Sequence, residues 1–454
     1  MSRLPVPDYV SYICAVLRAA GHKAYAVGGG VRDALLGRVP KDWDVATSAP
    51  PHEVQRLFPK TVPTGVEFGT VTVLVENDGQ AAERRSHSGE SRAGRVGTGA
   101  TADGALHAVE VTTFRGESGY FDGRHPDSVQ FIGSIEDDLV RRDFTVNAIA
   151  YDPETHVIVD PHGGQADLMQ RLIRAVGDPD QRFYEDGLRV LRAVRIAVEL
   201  GFSIEPATAR AMRRHGARLL QVSRERIGQE WRRMLLAPDA GRGLAMLDEL
   251  ALLSFVLPTA PSRAPTAAAV VRTVAALDRA RAADLVVKTS LVLHGLGDPD
   301  QHEAWLRKLV YPKQAARAAL HVSGALRSFS PDAVGDDAAL RRFLHGLGRP
   351  HITAFFDAWA AWRSGEQARR LRERALRIAS RGDALTAGEL AVNGHDVKSI
   401  WPGITGPEVG VVLNRLLDHV LTHPGDNTRA RLEELLRRWR EQAGVASEAA
   451  DVDQ

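Results

Sequence analysis

The sequence predicts an α+β protein, with a mixed-sheet module at the N-terminus and an all-α remainder. Three observations lead there. Over the first 160 residues, short β-branched runs alternate with turn residues and a few helical stretches. From about Pro179 onward, apolar residues recur at helical spacing, interrupted by Pro and Gly. The length of 454 residues exceeds one ordinary core, so two or more domains are expected.

In chain order, "KAYAVGG", "DWDVAT", "GTVTVLVE", "HAVEVTTF" and "VIVDP" read as strands by length and β-branched content. "APPHEVQRLF" reads as a helix opened by proline. The stretch from Asn77 to His107 is rich in Gly, Ala, Ser and Arg and nearly free of large apolar residues. It is expected to be a mobile insertion joining two adjacent strands. Further on, "EDGLRVLRAVRIAVELGF" sets Leu188, Leu191, Val194 and Val198 on one helical face and Arg189, Arg192 and Arg195 on another. "LPTAPSRAPTA" and "LGRPH" punctuate the later helices, and "ASEAADVDQ" reads as a frayed acidic tail. The expected division is 1–160 for the sheet module, 161–255 and 256–445 for two helical regions, and 446–454 for a disordered tail.

Composition excludes several classes. Hydrophobic and charged contents of 44% and 25% are those of a soluble globular chain. The single cysteine, Cys14, rules out a disulfide framework and fits a reducing, cytoplasmic setting. No signal-peptide pattern and no apolar window of about 18 residues appears, so no membrane span is expected. Zinc spacing, a G-x-S-x-G elbow and a P-loop are all missing. The net charge of +1 says little, but arginine is unevenly spread. Arg171 to Met234 holds fourteen arginines against eight acids, and Arg363 to Arg381 holds seven against two. Such runs are either solvated helix faces or a footprint for phosphates.

One segment concentrates chemistry: "AVGGGVRDALLGRVPKDWDVATSA", Ala26 to Ala49. Asp42 and Asp44 flank Trp43, and on a strand their side chains would share a face. Two adjacent anions are costly unless a cation joins them. Glycines Gly28 and Gly29 at a strand-to-helix turn would let backbone N–H groups approach a triphosphate, and Arg32 adds a fixed positive charge. Glu110, within "VEV", is a possible third carboxylate; the bland reading is an outward residue on an edge strand. Carboxylates on neighbouring strands beside a phosphate-binding turn suit two-metal phosphoryl chemistry. Hard oxygen ligands of this kind favour Mg²⁺.

Four further stretches come in order: "GGGVRD…KDWDVATSA", "VEVTTFRGESGYFDGRHPDSV", "SIEDDLVRRDFTVNAIAYD" and "GGQADLMQRLIRAVGDPDQRFYEDGLRVLRAVRIA". Together they resemble the bacterial class II tRNA nucleotidyltransferases and the related bacterial poly(A) polymerases, of the polymerase-beta-like nucleotidyltransferase superfamily. The likeness is dense from about Ala24 to Leu235 and thinner beyond, where Leu390 to Asn427 resembles the C-terminal part of many members. It implies a nucleotidyltransferase head, a helical neck that binds base and RNA, and a helical body and tail that bind tRNA. It also implies Asp42 and Asp44 as metal ligands, Gly29 and Arg32 at the triphosphate, and Arg141 and Arg142 on the nucleotide. Asp143 would accept a hydrogen bond from a ribose hydroxyl; the bland reading of that triplet is a helix N-cap with solvated arginines.

Within "EDGLR", Asp186 and Arg189 are three apart and on one helix would share a face. A carboxylate beside a guanidinium complements the edges of cytosine and adenine and mismatches those of uracil and guanine. The resemblance implies that this pair chooses the base without a nucleic-acid template, with Arg192 and Arg195 reaching phosphates. "YFDGRHP" resembles the family's flexible loop; Asp122 and Arg124 match, while His125 departs from the usual second arginine. Where many relatives carry a His-Asp metal motif, this chain has Leu293, His294 and Gly295, so no phosphohydrolase activity is expected. The expected activity is addition or repair of the 3′-terminal CCA of tRNA from CTP and ATP. Poly(A) synthesis, A-only or CC-only addition, and an inactive RNA-binding protein stand as alternatives.

Overall fold

The computed structural model describes residues 3–76, 106–118, 128–257 and 265–452. It divides into two compact units, one of Met1–Met234 with Met246–Val256, the other of Leu235–Ala245 with Leu257–Gln454.

The first unit is built on a seven-stranded mixed sheet. Its strands are β1 (Ala24–Val27), β2 (Asp44–Thr47), β3 (Thr61–Gly65), β4 (Thr70–Glu76) and β5 (Leu106–Thr113), completed later by β8 (Ala150–Tyr151) and β9 (Ile158–Val159). Their order is β3-β4-β5-β2-β1-β8-β9. Only β2 and β5 run parallel. All five expected strands are present; β3 and β8 are additions. A separate hairpin pairs β6 (Arg115–Ser118) with β7 (Ser128–Phe131). The expected insertion joins β4 and β5, which pair antiparallel, but β5 begins at Leu106, so the insertion ends earlier than His107. The rest of that insertion and the loop bearing Asp122, Arg124 and His125 lie outside the described residues.

Helix α1 (Asp8–Ala19) buries Val10, Ile13, Cys14 and Leu17, an i, i+3, i+4, i+7 stripe. Burial pushes the Cys14 thiol up to about 12, so it is packed as a small apolar group rather than as a nucleophile. Two short helices follow, α2 (Gly29–Leu35) and α3 (Pro51–Leu57), the latter with proline at its start as expected. Beneath the sheet, Val27, Ala46, Phe114, Ala148, Ala150 and Val176 pack with Ile135 and Leu139 of α4 (Ile135–Val140).

The rest of the unit is mainly helical, with α5 (Gly164–Gln170), α6 (Pro179–Glu185), α7 (Leu188–Leu200), α8 (Pro206–His215) and α9 (Arg224–Leu236), and carries one small parallel pair, β10 (Leu172–Ile173) with β11 (Ser203–Ile204). The "EDGLR" stretch breaks between α6 and α7, with Asp186 extended at φ −139° and ψ 107°. Gly187 follows in a helical conformation and starts α7, and a Cβ there would stand 2.8 Å from the Arg218 carbonyl oxygen, so the close approach of that backbone requires glycine. Helix α7 is buried nearly all round, Arg189 and Arg195 included, rather than carrying a solvated arginine face.

The second unit is all-helical apart from turns. Phe329, Phe343, Phe355, Phe356 and Trp359 form an aromatic core, Phe329 lying 4.6 Å from Phe343 and 5.3 Å from Trp359. His294 packs edge-on against Trp362 at 4.6 Å. Burial, helped by Arg327, Arg272 and Arg363, lowers it to about 4, so it is a neutral packed imidazole at pH 7. The final helix, Arg429–Val452, runs into the stretch expected to be disordered. No helix among the described residues is long and apolar enough to cross a membrane.

Candidate active site

Asp44 opens β2 and pairs in parallel register with Glu110 on β5, so the two side chains rise from one face of the sheet. Glu110 is exposed but not on an edge, since β5 lies between β4 and β2. Asp42 stands in the loop just before β2, not on the strand itself, and is exposed. The side-by-side placement expected of one continuous strand is replaced by a loop carboxylate whose charge acts on a strand carboxylate. Burial, then the charges of Glu110 and Asp42, push the Asp44 carboxyl up to about 6 against the pull of Arg142. Negative charge therefore exceeds what nearby arginine neutralises. An all-oxygen donor set in that condition suits a hard divalent cation. Among the described residues no three His, Cys, Asp or Glu side chains are gathered as a ligand set. Asp42, Asp44 and Glu110 are instead three carboxylates whose charges act on one another, Glu110 and Asp42 both raising Asp44.

The glycine run has two separate causes. Gly28 adopts φ +74°, and a Cβ there would meet Arg142 Nη1 at 3.0 Å and Asp44 Oδ2 at 3.6 Å. Its lack of a side chain lets the Arg142 guanidinium reach the carboxylates. At Gly30 a Cβ would stand 2.8 Å from Trp43 Cε3. Trp43, only 4% exposed, is thereby pressed against α2 and fixes the segment carrying its two aspartate neighbours. Gly29 opens α2, and Arg32 on that helix donates to Asp33 and, through Nη1 at 2.8 Å, to Asn147 Oδ1.

Arg141 and Arg142 are only partly exposed and are ion-paired rather than freely solvated. Both clamp the fully buried Asp138, through Arg141 Nη2 at 2.9 Å and Arg142 Nη2 at 3.4 Å. Asp143 is likewise no free acceptor for a ribose. Its Oδ1 accepts from the Phe144 N–H and Asn147 Nδ2, and its Oδ2 from Arg192 Nη2 at 2.6 Å. Burial alone would raise its carboxyl, but Arg192 and Asn147 bring it down to about 2.

The pair expected to read the base, Asp186 and Arg189, differs most from expectation. Because the helix breaks at Asp186, Asp186 and Arg189 do not share one helix face. Asp186 accepts from Leu188 N–H at 2.9 Å and from Arg226 Nη2 at 2.6 Å. Arg189 donates to Glu185 at 2.6 Å and to the carbonyls of Arg182 and Arg141. Both are held in place by partners other than each other. Arg195, 4% exposed and bonded to Glu230 and Glu199, is withdrawn from any phosphate. Arg192 is partly exposed and stays beside Asp143 and Glu230.

Sequence reasoning missed Asp138, Asn147, Glu185, Arg226 and Glu230. Asp138 had a signal, the i, i+3 and i, i+4 spacing to Arg141 and Arg142. Arg226 had none, since it lies 40 residues from its partner.

A mixed sheet bearing clustered carboxylates beside a glycine turn, backed by a helical region, defines a nucleotidyltransferase. Residues 24–174 match the family model described as the poly A polymerase head domain, and residues 201–262 match the probable RNA and SrmB-binding site of polymerase A. The CCA-adding enzyme of Geobacillus stearothermophilus is 35% identical over 420 residues, 92% of this chain and 93% of that protein. Its counterpart from Geobacillus thermodenitrificans is 36% identical over 418 residues, 92% of this chain and 93% of that protein. The crystal structure of the Bacillus stearothermophilus CCA-adding enzyme in complex with CTP aligns with a TM-score of 0.74 at 32% identity, covering 96% and 98% of the two chains. The Thermotoga maritima CCA-adding enzyme complexed with tRNA shares the fold, with a TM-score of 0.66 at 20% identity over 95% of each chain. This chain belongs to the CCA-adding enzyme family.

Proposed function

We propose that this protein adds or repairs the 3′-terminal CCA of tRNA, using CTP and ATP and releasing pyrophosphate. The observation that carries the reading is the Asp44–Glu110 register with Asp42 alongside and Arg142 reaching in past Gly28. That arrangement stands in a chain 35% identical to a CCA-adding enzyme over 92% of its length.

Asp42 and Asp44 would hold Mg²⁺, whose chemistry is to favour deprotonation of the attacking RNA 3′-hydroxyl and to neutralise charge on the departing pyrophosphate. Arg142 and Arg32, each fixed by hydrogen bonds, orient the triphosphate for in-line attack at the α-phosphate. Asp186 offers an acceptor and Arg189 a donor to the base edge, which favours C and A over U and G. Asp122 and Arg124 belong to the loop proposed to couple the change from C to A. The second unit and the neck supply tRNA binding, and the setting is the cytosol.

A narrower output is the second reading, favoured by the poly A polymerase description of the matched head. One experiment separates them. Purified protein with Mg²⁺ is given tRNA transcripts ending before CCA, after CC and after CCA, with CTP, ATP or both. Addition of C, C and A followed by a stop is the expected result. A on the CC-ending transcript alone, or a long A ladder, would replace the CCA reading with a narrower one.

A further inference from the structure

We propose that Arg226 is a positioning residue for base choice: its guanidinium fixes the Asp186 carboxylate so that a single acceptor direction is presented to the incoming base. The inference rests on the base-reading role given to Asp186 above.

The geometry is as follows. Asp186 stands in the break between α6 and α7, where no helix constrains its side chain. Three donors fill it instead. Leu188 N–H and Arg226 Nη1 reach Oδ1 at 2.9 and 3.4 Å, and Arg226 Nη2 reaches Oδ2 at 2.6 Å. An ionised carboxylate has about four lone-pair sites, so this pairing leaves roughly one, on Oδ2. The forked guanidinium also sets the plane of the carboxylate, which a point charge cannot do. The same helix, α9, sends Glu230 one turn later to Arg192 and Arg195 of α7. One face of α9 thus holds both the base-reading acid and the arginines behind it.

The consequence is specific to base choice. A lone remaining acceptor in a fixed direction meets the exocyclic amine of C or A and opposes the carbonyl of U or G. Without Arg226, only the Leu188 N–H still holds Asp186 and the plane of the carboxylate is no longer set, so the penalty against U and G weakens along with affinity for C and A.

The test compares Arg226→Ala, Arg226→Lys and Asp186→Ala with the wild type on tRNA lacking CCA, under Mg²⁺. It measures kcat and KM for CTP and UTP separately. A displaced reading group costs on the order of a hundredfold. Accordingly Arg226→Ala is expected to lower the CTP-to-UTP ratio of kcat/KM by tenfold or more, chiefly by weakening CTP use. Arg226→Lys keeps the charge but not the fork and should restore folding without restoring the full ratio. If Arg226→Ala does not fold, the Lys variant decides alone. An unchanged ratio in a folded Arg226 variant, with Asp186→Ala losing it, overturns this inference and spares the reading of Asp186. An unchanged ratio in Asp186→Ala overturns both.

Discussion

Gly30→Ala tests whether the buried tryptophan aims the aspartates. A Cβ at position 30 stands 2.8 Å from Trp43 Cε3, 3.0 Å from Cδ2 and 3.1 Å from the Asp42 carbonyl oxygen. Ordinary contact begins at 3.4 Å, so the indole must retreat by about 0.6 Å, taking 3.4 minus 2.8. Overpacking of this kind costs about 1–3 kcal/mol. Alanine returns about 0.5–1 kcal/mol through its better helix propensity in α2. The net loss of stability is therefore modest, about 0–2.5 kcal/mol. Activity should fall much further, because Trp43 lies between the two aspartates and a shift of its backbone displaces both. Misplacement on the order of 1 Å costs about a hundredfold in rate; for the smaller shift here we expect a tenfold or greater loss in kcat for CMP incorporation. The assay pairs single-turnover incorporation with urea unfolding, and Trp43→Leu is added to make room. Partial recovery of kcat in the double variant would show that the two sites are coupled. Activity within twofold of wild type for Gly30→Ala would refute the reasoning.

Asp44→Asn should reduce incorporation by at least a thousandfold while leaving tRNA affinity within a few-fold, measured by filter binding; lost affinity would detach Asp44 from the metal. Gly295→Ala places a methyl against Thr273 Oγ1 and should lower stability by about 1–3 kcal/mol, read as a fall in Tm. An unchanged Tm would mean that the helices open easily there. For Asp143, the folded carboxyl sits at about 2 against 3.8 in the unfolded chain. Its contribution, about 2 kcal/mol, is thus complete above pH 4 and lost as pH falls through 2. Urea unfolding from pH 5 to 2 should show a shallower loss of stability in Asp143→Asn, and parallel curves would contradict the Arg192 pairing.

The fold was legible because its signals are local. Strand lengths, the proline-led α3 and the helical spacing beyond Pro179 each depend on a few neighbouring residues. Asp42, Asp44 and Arg32 could be picked out for the same reason: they share one short segment with its glycines. What escaped was partnership across distance. Nothing near Asp186 in sequence names Arg226, and nothing near Asp143 names Arg192, 49 residues on. The helix break at Asp186 escaped too, since the carboxylate there is held by Arg226 of another helix, a contact between elements rather than a propensity.

The arginine run shows why such distant partners matter. Read as a string, Arg171 to Met234 has an excess of six positive charges and suggests a surface for phosphates. In the structure, Arg174, Arg182, Arg189, Arg192, Arg195, Arg214, Arg226 and Arg233 are ion-paired, partly to acids outside the run such as Asp143 and Asp167. Arg218 lies over the Tyr184 ring at 3.8 Å, and Arg224 donates to the Phe255 carbonyl. Several of these pairs are buried, where a charge without its partner is costly, so each acid fixes its arginine in position. From Arg32 the contacts pass to Asn147, Asp143, Arg192, Glu230 and Arg195. These contacts tie the residue beside the glycine turn to the helix that follows the break at Asp186. Arginine in this region acts chiefly as scaffold: its fork holds carboxylates and carbonyls of separate elements in one geometry.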